Sequence, residues 1–350
     1  MPFQIIRSDI TKVKADIIVN TANPRPIIGS GTDSAIYQAA GEEALLGERR
    51  KIGDIAPGQA AATPAFNLSA KYIIHTVGPE WIDGNHHERD TLRACYANSL
   101  SLAAALKAGS IAFPLIATGV YGFPRDEALN IAIAEIGGFL LTHDMKVILV
   151  VFDRQAFELS GQLVGEIEEY IDEHGVGLAS RSEYGDRGSR RRRIEEELLL
   201  RDMALSKERP VCGNVPPSSV SPFVDMEGKS LDDVLGTTGE TFQQRLFRLI
   251  DASGMDDVTV YKRANIDRKV FSRIRCKQDY KPKKRTAVAF AIALELDLST
   301  TLDLLSRAEL AFSPSSRFDL IVSYFITNRI YDIYKINTAL FDYGQPCLGD

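Results

Sequence analysis

Long apolar runs are missing from this 350-residue sequence. No stretch of eighteen apolar residues occurs, and apolar runs such as 147–152 suit a buried strand rather than a membrane span. Cysteine is sparse: Cys95, Cys212, Cys276 and Cys347 stand apart with no C-x-x-C spacing. That excludes a disulfide framework or a thiolate zinc site, so all four read as reduced thiols. The N-terminal residues lack a basic-then-apolar signal pattern, and a cytoplasmic location is the expectation. No internal repeat is visible. What is present is ordinary for a folded chain, 45% hydrophobic and 25% charged residues, which excludes a wholly disordered or collagen-like protein. The length favours about two domains, or three.

Charge is unevenly spread beneath a formal total of −6. Residues 1–176 carry 14 Lys+Arg against 22 Asp+Glu, a balance of −8. Residues 177–350 carry 27 against 25, a balance of +2, and within them 261–285 hold 11 basic and 2 acidic residues. An acidic chain with one concentrated basic patch can meet a polyanion there, although solvated basic faces are common.

Three parts follow from the patterning. Over 1–176, short Ile/Val-rich stretches (3–6, 17–20, 71–76, 111–114, 146–151) alternate with helical ones (33–40, 91–107, 126–143, 155–174). This predicts an α/β layer fold with helices covering a largely parallel sheet. Ligands in such folds bind beyond the carboxyl ends of the strands. Residues 177–239 read as a charged helix near 190–205 followed by a Pro/Ser/Gly-rich linker. Its Arg and Glu blocks suit i,i+4 pairs on one helix. From 240 to 350 the apolar spacing is helical throughout, and an all-α domain is expected.

The strand ends of the first part hold the chemistry. Asp9, in Ser8-Asp9-Ile10, suits a turn cap or an acceptor for a ligand amino group. Asn20 and Asn23 close the second strand, where they can satisfy the strand end or hold a sugar hydroxyl. Asp33 opens a helix after Gly29 and Gly31, as an N-cap or as a carboxylate that orients a water. Residues 117–124, Ala-Thr-Gly-Val-Tyr-Gly-Phe-Pro, form a glycine-bearing turn whose N–H groups suit a diphosphate. Phe152 closes the last strand, as core or as a base-stacking ring. His75 is expected to pack at a strand end. His86-His87-Glu88 lacks the i,i+4 geometry of a helical zinc site, and neither metal nor cofactor is expected.

Taken in order, Ser8-Asp9-Ile10, Val19-Asn20-Thr21-Ala22-Asn23, His75-Thr76-Val77-Gly78-Pro79, Cys95-Tyr96-Ala97-Asn98-Ser99-Leu100 and the stretch from Ile111 to Gly122 make residues 3–174 resemble the macro domain, an ADP-ribose-binding module. The resemblance implies a three-layer α/β fold with a mixed, largely parallel sheet, in which Asp9 binds the adenine amino group and Phe152 stacks on the base. Thr118, Gly119, Val120, Tyr121 and Gly122 would wrap the diphosphate. Ile10, Asn20, Gly29 and Gly31 would complete the ligand site, and Asn23 would contact the distal ribose. In hydrolytic members similar to MacroD, the Asp at the position of Asp33 helps to orient the attacking water, so Asp33 and Asn23 are the implied catalytic pair. Two features depart from those members. The glycine run is reduced to Ile28-Gly29-Ser30-Gly31-Thr32, and Tyr37 stands where they often carry His.

In the last part, 258–264 reads as a short helix, Asn265 and Ile266 as a turn, and Asp267 as the cap of 268–275. Residues 242–310 thereby resemble a lambda-repressor or Cro-like helix-turn-helix. That resemblance puts Arg268, Lys269, Ser272, Arg273 and Arg275 near DNA. The tail, 319–340, could pack on the bundle or on a second subunit. The expected function is ADP-ribosyl hydrolysis, ADP-ribosylglycohydrolase-like in type, on modified proteins or on acyl-ADP-ribose esters. A C-terminal targeting module would accompany it. The alternative is a non-catalytic ADP-ribose reader coupled to a DNA-binding regulator.

Overall fold

The computed structural model describes residues 3–151, 161–174 and 239–349. The expected linker helix near 190–205, the linker up to 238 and Phe152 lie outside the described residues. Six strands form one sheet: β1 (Phe3–Arg7), β2 (Ile17–Thr21), β3 (Ala60–Pro64), β4 (Tyr72–Thr76), β5 (Ser110–Pro114) and β6 (Lys146–Val151). Their order is β1-β6-β5-β2-β4-β3. Every neighbouring pair is parallel except β3 with β4. The sheet is therefore largely parallel, as the alternation of elements predicts, and mixed, as the macro-domain resemblance implies.

Alternation within the strands sorts side chains between two cores. Ile17, Val19, Ile111, Phe113, Val147 and Leu149 face one side, packed with α3 (Glu88–Ala105) and α4 (Arg125–Thr142). Ile18, Ile73, Ala112, Ile148 and Val150 face the other, packed with Ile36, Tyr37 and Ala40 of α1 (Thr32–Ala40) and Leu45 of α2 (Glu42–Ile52). Burial on both faces explains why these strands read as nearly continuous apolar runs.

Strand β3 and helix α2 are not legible in the sequence. β3 is Ala60-Ala61-Ala62-Thr63-Pro64, poor in β-branched residues, and its pairing with β4 makes it a strand. Its position at the sheet edge tolerates Pro64.

The last part is helical: α6 (Phe242–Ser253), α7 (Asp257–Arg263), α8 (Arg268–Cys276), α9 (Lys284–Ala293), α10 (Leu298–Ser306), α11 (Arg317–Thr327) and α12 (Ile333–Asp342). Side chains of Thr241, Asp256, Asp267, Asp297, Ser316 and Asp332 accept N–H bonds from the first turns of six of these helices. α9 is buried on every face from Thr286 to Ala293, so the other helices pack around it. The tail packs on this bundle through Ile321, Phe325, Ile336 and Leu340. α5 (Gly161–His174) joins it as well, because Ile167 and Ile171 enter the helical core and Tyr324 donates to Glu166 at 2.6 Å. Among the described residues no helix is long and apolar enough to cross a membrane.

The helical part docks on the open edge of β1. The Phe3 N–H donates to Asn265 Oδ1 at 2.6 Å, and Asn265 Nδ2 donates to the Phe3 carbonyl at 2.9 Å. Asn265 has φ +54°, a left-handed conformation that Asn tolerates better than most residues. Nearby, the Tyr334 ring lies against Gly137, where a Cβ would come within 2.9 Å of it. Lys262 Nζ donates to the Leu141 carbonyl at 3.0 Å. Asn265→Leu strands both Phe3 backbone groups in a buried contact. We expect a loss of about 1–3 kcal/mol, read as a lower urea midpoint at unchanged slope; an unchanged midpoint would contradict this role.

Candidate active site

Parallel strands β1, β2, β4, β5 and β6 release their loops at one end of the sheet. Asp33 sits in the first turn of α1, just past β2, with 3% of its surface exposed. Its Oδ1 accepts from Asn20 Nδ2 and its Oδ2 from the Gly29 N–H, each at 2.6 Å. Burial raises the Asp33 carboxyl above the usual aspartate value, while Gly29, Asn20 and the Arg49 charge oppose the rise.

The two glycines left in the reduced run are the two that the geometry needs. A Cβ on Gly29 would lie 2.8 Å from Asn23 Nδ2 and 3.2 Å from Asp33 Oδ2. Asn23 and Asp33 thus flank one point of backbone. Gly31 caps α1 at φ +62°. Ser30 and Thr32 are not among the left-handed residues, so neither strains the loop.

Behind Asp33 lies a polar interior. Asn20 and His75 are 0% exposed, and Asn20 Nδ2 also faces His75 Nδ1 at 3.2 Å. His75 Nε2 faces Thr63 Oγ1 at 3.0 Å. Burial, then the Arg49 charge, lowers the His75 pKa to about 3, so the ring is neutral. Of the two asparagines at the strand end, Asn20 points inward and Asn23 is partly exposed, donating to the Ile27 carbonyl at 3.2 Å. Tyr37 is buried one turn after Asp33, and burial with the Asp33 charge pushes its phenol up to about 12.

Arg49 of α2 has no signal in the sequence beyond a charge in a charged helix, yet it is 1% exposed. Its guanidinium donates to the Gly53 carbonyl and to those of Asn23 and Pro24 at 3.3 and 3.1 Å. One cation thereby ties the end of α2 to the turn that carries Asn23.

In the glycine-bearing turn after β5, burial and then the Glu80 and Asp33 charges raise the Tyr121 phenol. Gly122 and Phe123 donate back to the Gly119 and Ala117 carbonyls at 3.0 Å, closing the turn. Among the described residues the N–H groups of Thr118, Gly119, Val120 and Tyr121 carry no hydrogen bond, and Gly119 and Val120 are exposed. Helix α3 explains the motif at 95–100: Cys95 donates to the Val77 carbonyl, Tyr96 accepts from the Ile116 N–H, and Asn98 donates to the Gly58 carbonyl. One helix thus braces three loops.

Asp9 follows β1 and caps a short 3-10 turn, accepting from the Thr11 hydroxyl at 2.7 Å and the Thr11 N–H at 3.0 Å. The Thr11 hydroxyl is the main cause of its lowered pKa. Ile10 beside it is buried on the α1–α2 side of the sheet. Asp83, His86 and Glu88 place ligand-type atoms within 4.8 Å of one another, whereas His87 turns toward Asp90. Burial alone would raise the Glu88 carboxyl. Backbone N–H groups including those of His86, Gly84 and Asp83 overcome it and hold the pKa at about 2, which makes Glu88 the anchor of that turn.

Gly29→Val must displace Asn23 or Asp33. We expect a loss of about 1–3 kcal/mol of stability, read as a lower urea midpoint; an unchanged midpoint would show that the loop yields freely.

The model of the macro domain family matches residues 19–132. The chain is 41% identical over 171 residues to the O-acetyl-ADP-ribose deacetylase of Cronobacter sakazakii, spanning 94% of that protein and 47% of this chain. It is 42% identical over 165 residues to the enzyme of the same name from Escherichia coli K12, spanning 93% of that protein and 46% of this chain. The solved Oceanobacillus iheyensis macrodomain with ADP is 35% identical, covering 47% of this chain and 90% of its own, with a TM-score of 0.43. Nearly the whole length of the two deacetylases is matched, at more than 40% identity, and the chain belongs to the macro domain family.

Proposed function

We propose that this chain binds ADP-ribose across the strand ends and hydrolyses an acyl ester on its distal ribose. The observation that carries this is the Asp33 carboxylate, buried, held at both oxygens and flanking Gly29 together with Asn23. A pKa raised by burial makes its ionised form a stronger base than a solvated aspartate. It takes a proton from water as the water oxygen bonds to the acyl carbon. The ester bond to the ribose oxygen then breaks, and that oxygen recovers the proton from Asp33. The products are free ADP-ribose and a carboxylic acid.

The outward N–H groups of Thr118 to Tyr121 supply neutral donors for the diphosphate. They suit a region whose net charge of −8 offers an anion no long-range attraction. Asp9 would accept from the adenine amino group. The relatives are named deacetylases, which favours ester cleavage over the ADP-ribosylglycohydrolase-like activity that the sequence resemblance first suggests. An ester joining the distal ribose to a protein carboxylate presents the same acyl carbon, so modified proteins belong to the same substrate class. A phenol at Tyr37 is a poor proton acceptor, so the base is Asp33 alone.

A second role is favoured by the face of α8. Arg268, Lys269, Ser272 and Arg273 are exposed on it while Val270, Phe271 and Ile274 are buried beneath. Among the described residues Arg268, Lys269 and Arg273 have no carboxylate partner, whereas Arg275 is paired with Asp257 and lies over the Phe247 ring. We propose that this face meets DNA phosphates and targets the domain. Reversing Arg268 and Arg273 to Glu should abolish a low-salt gel shift on duplex DNA; an unchanged shift would remove the role.

Asp33→Ala should lower kcat on O-acetyl-ADP-ribose by about 10²–10⁴-fold with ADP-ribose binding retained; unchanged turnover would refute the mechanism. In wild type, activity should fall as the pH drops through the Asp33 pKa, because only the ionised form accepts the proton. Tyr37, Tyr121 and His75 are neutral and Arg49 charged across that range, so Asp33 sets the limb. Its midpoint should lie above the ordinary aspartate value of 3.8, and a midpoint at or below it would contradict the burial argument.

A further inference from the structure

The interior behind Asp33 contains more polar machinery than a strand end requires. Asn20 is wholly buried, and its amide faces a carboxylate oxygen on one side and an imidazole nitrogen on the other. An Asn carbonyl turned toward Asp33 would set two acceptors against each other, so the NH₂ end must face inward to both. That leaves Asn20 Oδ1 buried without a partner, an unfavourable arrangement that only its two donor contacts offset. Since Asn20 donates to His75 Nδ1, the ring carries its single proton on Nε2 and donates it to Thr63 Oγ1. Thr63 is 3% exposed, and it belongs to β3, the antiparallel edge strand. The links run from β3 through β4 and β2 to α1, ending at the carboxylate.

We propose that His75, through Asn20, is a positioning residue for Asp33: it fixes the plane of the carboxylate and keeps its free lone pairs turned toward the substrate. This rests on the hydrolytic reading above. His75 and Asn20 are both 0% exposed, which corrects the expectation that Asn20 is a ligand contact: its amide is turned to Asp33 and His75 instead. Their link to Asp33 is the N–H that Asn20 gives it, and the His75 ring also meets the Tyr37 ring, 6.3 Å between centroids. Losing the acceptor at Nδ1 frees the amide to rotate away. Asp33 then loses one of its two donors, its plane is no longer fixed, and its charged form is less well stabilised. The other groups coupled to Asp33 are Tyr37 on its own helix, Arg49 from α2 and Tyr121 from the turn after β5; Tyr37 also meets the His75 ring, a contact that Thr63→Val leaves intact.

The test compares full-length wild type with His75→Leu, Asn20→Leu, Thr63→Val and His75→Asn. It measures kcat and KM on O-acetyl-ADP-ribose across the acid limb, ADP-ribose affinity by calorimetry, and the Asp33 titration by carboxyl ¹³C NMR without substrate. His75→Leu and Asn20→Leu should lower kcat about tenfold or more and move the Asp33 midpoint upward, with KM and ADP-ribose affinity held within about twofold. Thr63→Val should shift the midpoint less in the same direction, and it supplies the reading if the Leu variants do not fold. His75→Asn, whose Oδ1 stands in for Nδ1, should restore kcat and midpoint together. An unmoved Asp33 titration in folded variants overturns the proposal, as does a parallel loss of affinity and kcat. If wild type turns over no ester, the hydrolytic reading fails, and the NMR titration still decides whether His75 governs Asp33.

Discussion

A carboxylate removed from water has to be given donors, and the end of β2 with the loop that follows it meets that requirement at Asp33. The Gly29 N–H reaches one oxygen because the loop between β2 and α1 passes so close that no side chain fits there. The Asn20 amide reaches the other because β2 directs it into the interior beside β4. Arg49 adds a positive charge from α2 and in the same contact ties down the turn that bears Asn23. Burial still prevails, and the result is a base stronger than a solvated aspartate and fixed in direction.

Much of this cleft can be traced in the sequence because its motifs lie at strand ends, where side-chain types are constrained by chemistry rather than by packing alone. The order Ser-Asp-Ile, Val-Asn-Thr-Ala-Asn, His-Thr-Val-Gly-Pro places the turns, and the Ile/Val runs place the strands to within a residue. Other features stay hidden for definite reasons. Nothing local tells Asn20 from Asn23; the pleat of β2 sends Asn20 inward, whereas Asn23 lies past the strand's end. Arg49 lies in Glu-Arg-Arg-Lys, which reads as a solvated face, and only the positions of Gly53 and the 23–24 turn make it internal. β3 has almost no strand propensity and exists through its pairing with β4. The packing of α5 on the helical bundle depends on which part of the chain is closer in space, and periodicity carries no such information.

The helical part is joined to the sheet by backbone recognition as well as by apolar packing. β1 is an edge strand, and an open edge invites pairing with other chains. Asn265 closes part of that edge with its own amide, and the same residue forms the turn before α8. The strand that leads into Asp9 and the helix that carries Arg268, Lys269 and Arg273 are therefore held in one relative position.

The measurement that bears most directly on the account is a crystal structure of this chain with ADP-ribose. It should show the adenine amino group on Asp9, the diphosphate on the N–H groups of residues 118–121, and the distal ribose beside Asn23 with a water in hydrogen-bond reach of Asp33. A distal ribose directed away from Asp33, or a ligand bound elsewhere with this cleft empty, would contradict it.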